Sequence, residues 1–162
     1  MKGLIILLIL ISTATFASHN HNMKNMKNKN VVKTKKMKTF LSPYFVIQQM
    51  LVDSKTPSKK DIKALEVSLH KKIRMTKDAE MKKSLKKAEK FVEAMLGKDL
   101  KEVRGQFFEL SKVLIPLTKK MKLKGVQAYY CPMANKTWIQ NQSNITYNPY
   151  MPKKMLHCGS KI

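Results

Sequence analysis

SKKDIKALEVSLHKKIRMTKDAEMKKSLKKAEKFVEAM, residues 58–95, carries two apolar stripes in succession. Ile62, Leu65, Leu69 and Ile73 recur by three and four, the spacing that keeps side chains on one face of a helix. Ser58, with Asp61 three positions on, resembles a capping box in which Asp replaces Glu. Thr76 to Asp78 is a second start signal, and Met81, Leu85, Ala88, Val92 and Met95 form the second stripe. Gly97 stands where a glycine closes a helix.

The same grammar extends to both sides. Upstream, Ser42 and Pro43 read as N-cap and first helical residue. Tyr44, Ile47 and Leu51 follow at helical spacing, with Phe45, Val46 and Met50 widening the apolar face. Downstream, Asp99 and Glu102 restart a helix that carries Leu100, Val103, Phe107, Leu110 and Leu114. Pro116 is expected to limit its end. Four amphipathic segments joined by short polar turns predict an all-α fold, a four-helix up-down bundle over about residues 40–120. Its methionines Met50, Met81 and Met95 lie on or beside the stripes and read as core packing.

From Met121 the pattern changes. Residues 126–130 could form a short extended piece. Pro132, the Asn-rich stretch to Asn148, Pro149, Pro152 and Gly159 then predict an irregular Cys/Met-rich segment packed on the bundle, within one domain spanning 40–162. This tail holds both cysteines, the only Trp and four of the five tyrosines.

The N-terminal end reads differently. Met1-Lys2-Gly3, an apolar run from Leu4 to Ile11 and small residues through Ala17 describe a secretory signal peptide, residues 1–17, cut after Ala17. The run is shorter than the roughly 20 residues of a bilayer-spanning helix. Residues 18–39 are dominated by Asn, Lys and Met without periodicity and are expected to be a disordered arm. His19, His21, Met23 and Met26 within it have the composition of a copper-capturing tract. The expected location is periplasmic or secreted. Asn135, Asn141 and Asn144 each open an Asn-x-Ser/Thr sequon, which has meaning only in a eukaryotic secretory pathway.

The formal net charge is +23, almost all of it lysine, with Arg74 and Arg104 the only arginines. Such a balance raises nucleic acid or an anionic surface as partner. The scarcity of guanidinium and the export signal argue against nucleic acid; the plain reading is a solvated lysine surface, with at most loose contact with an anionic envelope. No Ser/His/Asp set, phosphate loop or carboxylate pair is discernible, so an enzyme is not expected.

The tail carries the chemistry. Cys131 with Met133, and Cys158 with Met155, make two clusters that each pair a thiol with a thioether; His157 adds an imidazole. These sulfurs are soft donors that select Cu(I), or Ag(I), over hard cations. Zinc would have Cys131, Cys158 and His157 but lacks a fourth strong ligand. Two alternatives stay open for these residues. An exported chain with two cysteines commonly joins them in one disulfide, and methionines commonly fill core gaps. On that reading the chain is a disulfide-stapled basic helical interaction module of the cell envelope.

The order Cys131-Pro132-Met133, Trp138-Ile139-Gln140, Asn148-Pro149-Tyr150, Met155-Leu156 and Cys158-Gly159 resembles a bacterial periplasmic domain of formerly unknown function. That domain occurs alone or fused to adaptor subunits of Cus-type copper/silver efflux systems. The resemblance is strongest over about residues 129–159. It departs from the family in a shortened segment between Met133 and Trp138, and in Met151-Pro152 where an aromatic and a glycine are frequent. It implies periplasmic copper handling, Cys131, Met133, Met155 and Cys158 as the ligand set, and an efflux adaptor or copper-transfer protein as partner.

Overall fold

The computed structural model describes residues 39–162; the expected signal peptide and the expected arm, apart from Thr39, lie outside the described residues. Helices α1 (Ser42–Val52), α2 (Lys59–Met75), α3 (Ala79–Glu93) and α4 (Leu100–Lys120) are followed by strands β1 (Val126–Cys131) and β2 (Lys136–Asn141), the short helix α5 (Pro152–Met155) and strand β3 (Ser160–Lys161).

Helices α2, α3 and α4 start where their caps require. Helix α1 instead has Leu41 at the N-cap position without a side-chain cap, so Ser42 is its first residue and not the cap expected. Ser58 and Asp61 form a reciprocal capping box on α2, and Asp99 and Glu102 form one on α4. The Asp78 side chain accepts the Met81 N–H at the start of α3. The same carboxylate meets Lys120 at the end of α4, which holds its pKa below the ordinary value. Replacing such a cap by alanine typically costs about 1 kcal/mol. The predicted stripes are buried, with Leu65, Leu69, Leu85, Val92, Val103, Phe107 and Leu110 wholly inaccessible, but Val46, expected to widen the apolar face of α1, is exposed. Packing runs in chain order, α1 on α2, α2 on α3 and α3 on α4.

Two further expectations need correction. The fold is not all-α: a three-stranded antiparallel sheet of order β2-β1-β3 completes it. The tail expected to be irregular supplies all three strands. Strand β2 packs on α4 and α1, so sheet covers part of the side on which these two helices would close an up-down bundle. Trp138, Ile139 and Gln140 are consecutive and all buried, so β2 lacks the alternation that marks a strand with one wet face. Pro116, for its part, does not end α4, which runs on to Lys120. Pro116 and Lys112 are both exposed, so water can solvate the Lys112 carbonyl that the missing N–H would have met.

The junction of sheet and helices is specified by polar groups as well as by area. The Tyr44 hydroxyl shares a hydrogen bond with Ser111 at 2.8 Å and accepts the Ile139 N–H at 3.0 Å. That N–H belongs to the open edge of β2, so α1 blunts the edge. Burial drives the Tyr44 hydroxyl pKa well above its ordinary value, so the group acts as a neutral donor and acceptor. Arg104 of α4 donates from Nε to the Pro149 carbonyl and from Nη2 to the Leu51 carbonyl, both at 2.8 Å. One planar fork thereby ties α4 to the end of α1 and to the tail.

Candidate metal centre

Register brings the two cysteines together. Strands β1 and β2 pair with Tyr129 opposite Trp138 and Cys131 opposite Lys136. On its other side β1 pairs with β3, Tyr130 facing Ser160. Continuing one step along β1 puts Cys131 beside the Cys158-Gly159 dipeptide. The Cys158 thiol thus lies close enough to the Cys131 sulfur to interact with it, and near the Met133 backbone N–H. Both cysteines are free thiols, Cys131 fully buried and Cys158 half-buried.

The turn joining β1 to β2 presents main-chain donors to this sulfur pair. Ala134 N–H donates to the Cys131 sulfur at 3.4 Å, and the Met133 N–H lies near Cys158. Asn135, at φ 48°, takes the left-handed conformation that brings the chain back into β2. Hydrogen bonds from N–H groups favour an anionic sulfur. In the metal-free protein the Cys158 pKa is nevertheless raised. The hydrogen bond to Cys131 is the main cause, burial adds to it, and the Met133 N–H opposes it.

The remaining candidate donors occupy different settings. The Met133 side chain is 63% exposed at the tip of the turn, so it is not filling a core gap. Met155, at the end of α5, is half-buried, and its carbonyl accepts the Cys158 N–H at 3.1 Å. The exposed His157 ring is held by a 2.8 Å bond between Nδ1 and the Thr146 carbonyl, and by an edge contact with Tyr147. A carbonyl can only accept, so Nδ1 carries a proton. Among the described residues no group of three or more His, Cys, Asp and Glu side chains could hold a metal ion. The strong donors here are therefore two thiols, a set that suits a low-coordinate soft ion better than tetrahedral zinc.

Asn148-Pro149-Tyr150 holds the Cys158 segment in place. Asn148 is fully buried; its Oδ1 accepts the N–H groups of Tyr150 and Met151, and its Nδ2 donates to the Cys158 carbonyl at 3.1 Å. Its own N–H donates to the Leu156 carbonyl at 2.7 Å. The Tyr150 hydroxyl donates to the Thr137 carbonyl of β2 at 2.7 Å, while its ring contacts Phe107, Phe108 and Trp138. Beneath the dipeptide lies the buried Trp138 ring, stacked on Tyr129 at 5.7 Å.

Gly159 has a steric reason. A Cβ there would stand 2.4 Å from the Trp138 ring, a rigid group with no room to retreat. Gly159→Ala is therefore expected to cost about 2 kcal/mol of stability, in the range of overpacking. It should also weaken metal binding although it removes no donor atom. Thermal unfolding beside a Cu(I) competition titration checks this, and an unchanged midpoint would contradict it.

Two features of the site escaped the sequence reading. One is the pair of turn N–H groups at Met133 and Ala134, which no side-chain pattern reports. The other is Arg104, whose signal was its rarity: an arginine within a long lysine-rich helix marks a place where a planar fork is needed. No family model, curated protein or solved structure matches the chain.

Proposed function

We propose that this protein binds Cu(I) through the thiolates of Cys131 and Cys158, with the thioethers of Met133 and Met155 as supplementary ligands and His157 beside them. The observation that carries the reading is the thiol pair. Strand register brings two cysteines remote in sequence side by side, next to a turn whose Ala134 N–H donates to the Cys131 sulfur. Both thiols lose their protons on binding, and the two thiolates can coordinate a monovalent soft ion linearly, leaving one net negative charge at the site. Ag(I) shares these preferences. The exposed thioether of Met133 provides a place for an incoming or departing ion to be held first, which suits buffering or hand-over rather than permanent storage. The motif resemblance supports a periplasmic setting and an efflux adaptor or copper-transfer protein as partner. No step of this function requires catalysis.

The test is a Cu(I) titration of the reduced protein against a colorimetric Cu(I) chelator, repeated across pH. One ion per chain is expected. Each displaced thiol proton adds about tenfold in affinity per pH unit below the thiol range, so two thiols give about a hundredfold. The raised Cys158 pKa extends the rise to higher pH than an ordinary thiol would. A flat profile would mean that the thiols are not ligands.

The adjacency of the thiols also fits a disulfide between Cys131 and Cys158. In that case the oxidised protein would be the functional form, and copper binding after reduction would be weak and insensitive to Met133.

A further inference from the structure

The outward face of α2 is built unlike an ordinary solvated helix surface. Lys60, Ala64, Val67, Lys71 and Arg74 recur by three and four, so they form one stripe opposite the buried Ile62, Leu65, Leu69 and Ile73. Met75 stands beside this stripe. Val67 is 59% exposed and Met75 69%, the most exposed large apolar side chains of the described helices. Neither packs against the core, and lysines surround both.

This face continues onto α3. His70 of α2 meets Glu89 of α3 at 3.2 Å on the surface, which marks the seam between the two helices. Lys82 and Lys86 share the Glu89 side of α3 by the same helical spacing. Glu66 and Glu89 are engaged by Lys63 and His70. Among the described residues Lys60, Lys71, Arg74, Lys82 and Lys86 form no ion pair, and against the one exposed carboxylate that shares the α3 stripe, Glu93, the face keeps a net positive charge.

We propose that the α2–α3 face docks on an anionic phospholipid bilayer. Charge complementarity supplies the attraction, roughly fivefold in affinity for each lysine near an anionic bilayer, fading within a Debye length. The exposed apolar side chains decide which polyanion it is. Val67 and Met75 would meet acyl chains at a bilayer surface and gain nothing against a soluble phosphate polymer. The face also carries no exposed aromatic ring on which a nucleobase could stack. Contact would be peripheral, because the apolar stripes of both helices are already committed to the core.

The experiment is vesicle co-sedimentation of the whole chain at about 0.1 M salt, where the Debye length is about 10 Å. Vesicles of phosphatidylcholine are compared with vesicles containing phosphatidylglycerol. The chain should bind only the latter. Lys71→Glu/Arg74→Glu/Lys82→Glu/Lys86→Glu should weaken binding at least about a hundredfold. Lys101→Glu/Lys119→Glu/Lys122→Glu/Lys124→Glu, with the same change of charge elsewhere, should weaken it less than about tenfold. Equal losses in the two variants would overturn the proposal, since they would reflect net charge alone. Val67→Trp tests the apolar contact without disturbing the core. Its emission should shift to the blue on anionic vesicles and be quenched by brominated acyl chains. An unshifted spectrum, with the vesicles displaced by soluble polyphosphate, would assign the face to a polyanion and also overturn the proposal. If the first quadruple variant fails to fold by circular dichroism, the Val67→Trp readout decides alone.

Discussion

Cys158→Ser is expected to lower Cu(I) affinity by about a thousandfold or more, because one of two strong donors is replaced by a hard, weak one. The fold should survive, since Cys158 is only half-buried and a serine hydroxyl there is not forced into a dry site. Cys131→Ser should lose comparable affinity and also about 1–3 kcal/mol of stability, as it puts a hydroxyl at a fully buried position. Met133→Leu should leave stability unchanged at its exposed site and cost about tenfold in affinity, the thioether being the weaker donor. Chelator competition and thermal unfolding on the same samples separate this pattern from a structural disulfide. A disulfide predicts that each cysteine variant of the oxidised protein loses about 2–4 kcal/mol. It also predicts that Met133→Leu leaves metal binding as it was. The second pattern would end the copper reading.

Asn148→Ala is expected to cost about 2–4 kcal/mol, more than any surface change, because one side chain satisfies three backbone groups. The N–H groups of Tyr150 and Met151 and the carbonyl of Cys158 would lose their partners together. The loss should concentrate in the tail. Amide exchange of β3 and of the residues around Cys158 should accelerate, while α2 and α3, which Asn148 does not touch, keep their protection. Copper affinity should fall as well, since the Cys158 sulfur is no longer presented at a set distance from Cys131. A change below about 0.5 kcal/mol would show that water replaces the amide and that Asn148 is no clamp.

The helices were legible because their signals are local. Ser58 with Asp61 and Asp99 with Glu102 close their caps within one turn, and the stripe from Ile62 to Ile73 lies on one face whatever packs against it. The exception, Pro116, follows from what no local rule contains: whether the freed carbonyl of Lys112 faces water or protein. The sheet was less legible for a related reason. Strand β2 is buried at Trp138, Ile139 and Gln140 because α1 and α4 lie against it, and that burial removes the alternation by which a strand is recognised. A hairpin signal was nevertheless present in the Pro132-to-Asn135 turn between two runs rich in β-branched and aromatic residues.

From the sequence by itself came the four helical segments, their inward faces, and the presence of soft donors in two clusters near the C-terminus. Those properties depend on residue types and spacings of seven or fewer positions, within which the backbone geometry of a helix already dictates who faces whom. Only the tertiary structure decided that Cys131 and Cys158 meet as free thiols, that Met133 stands out in solvent, and that Trp138 forms the floor on which Gly159 rests. These facts hang on the register of β1 with β3 and on the Asn148 clamp. Both are pairings between segments remote in the chain, whose geometry is set by the whole packed core rather than by any neighbouring residue.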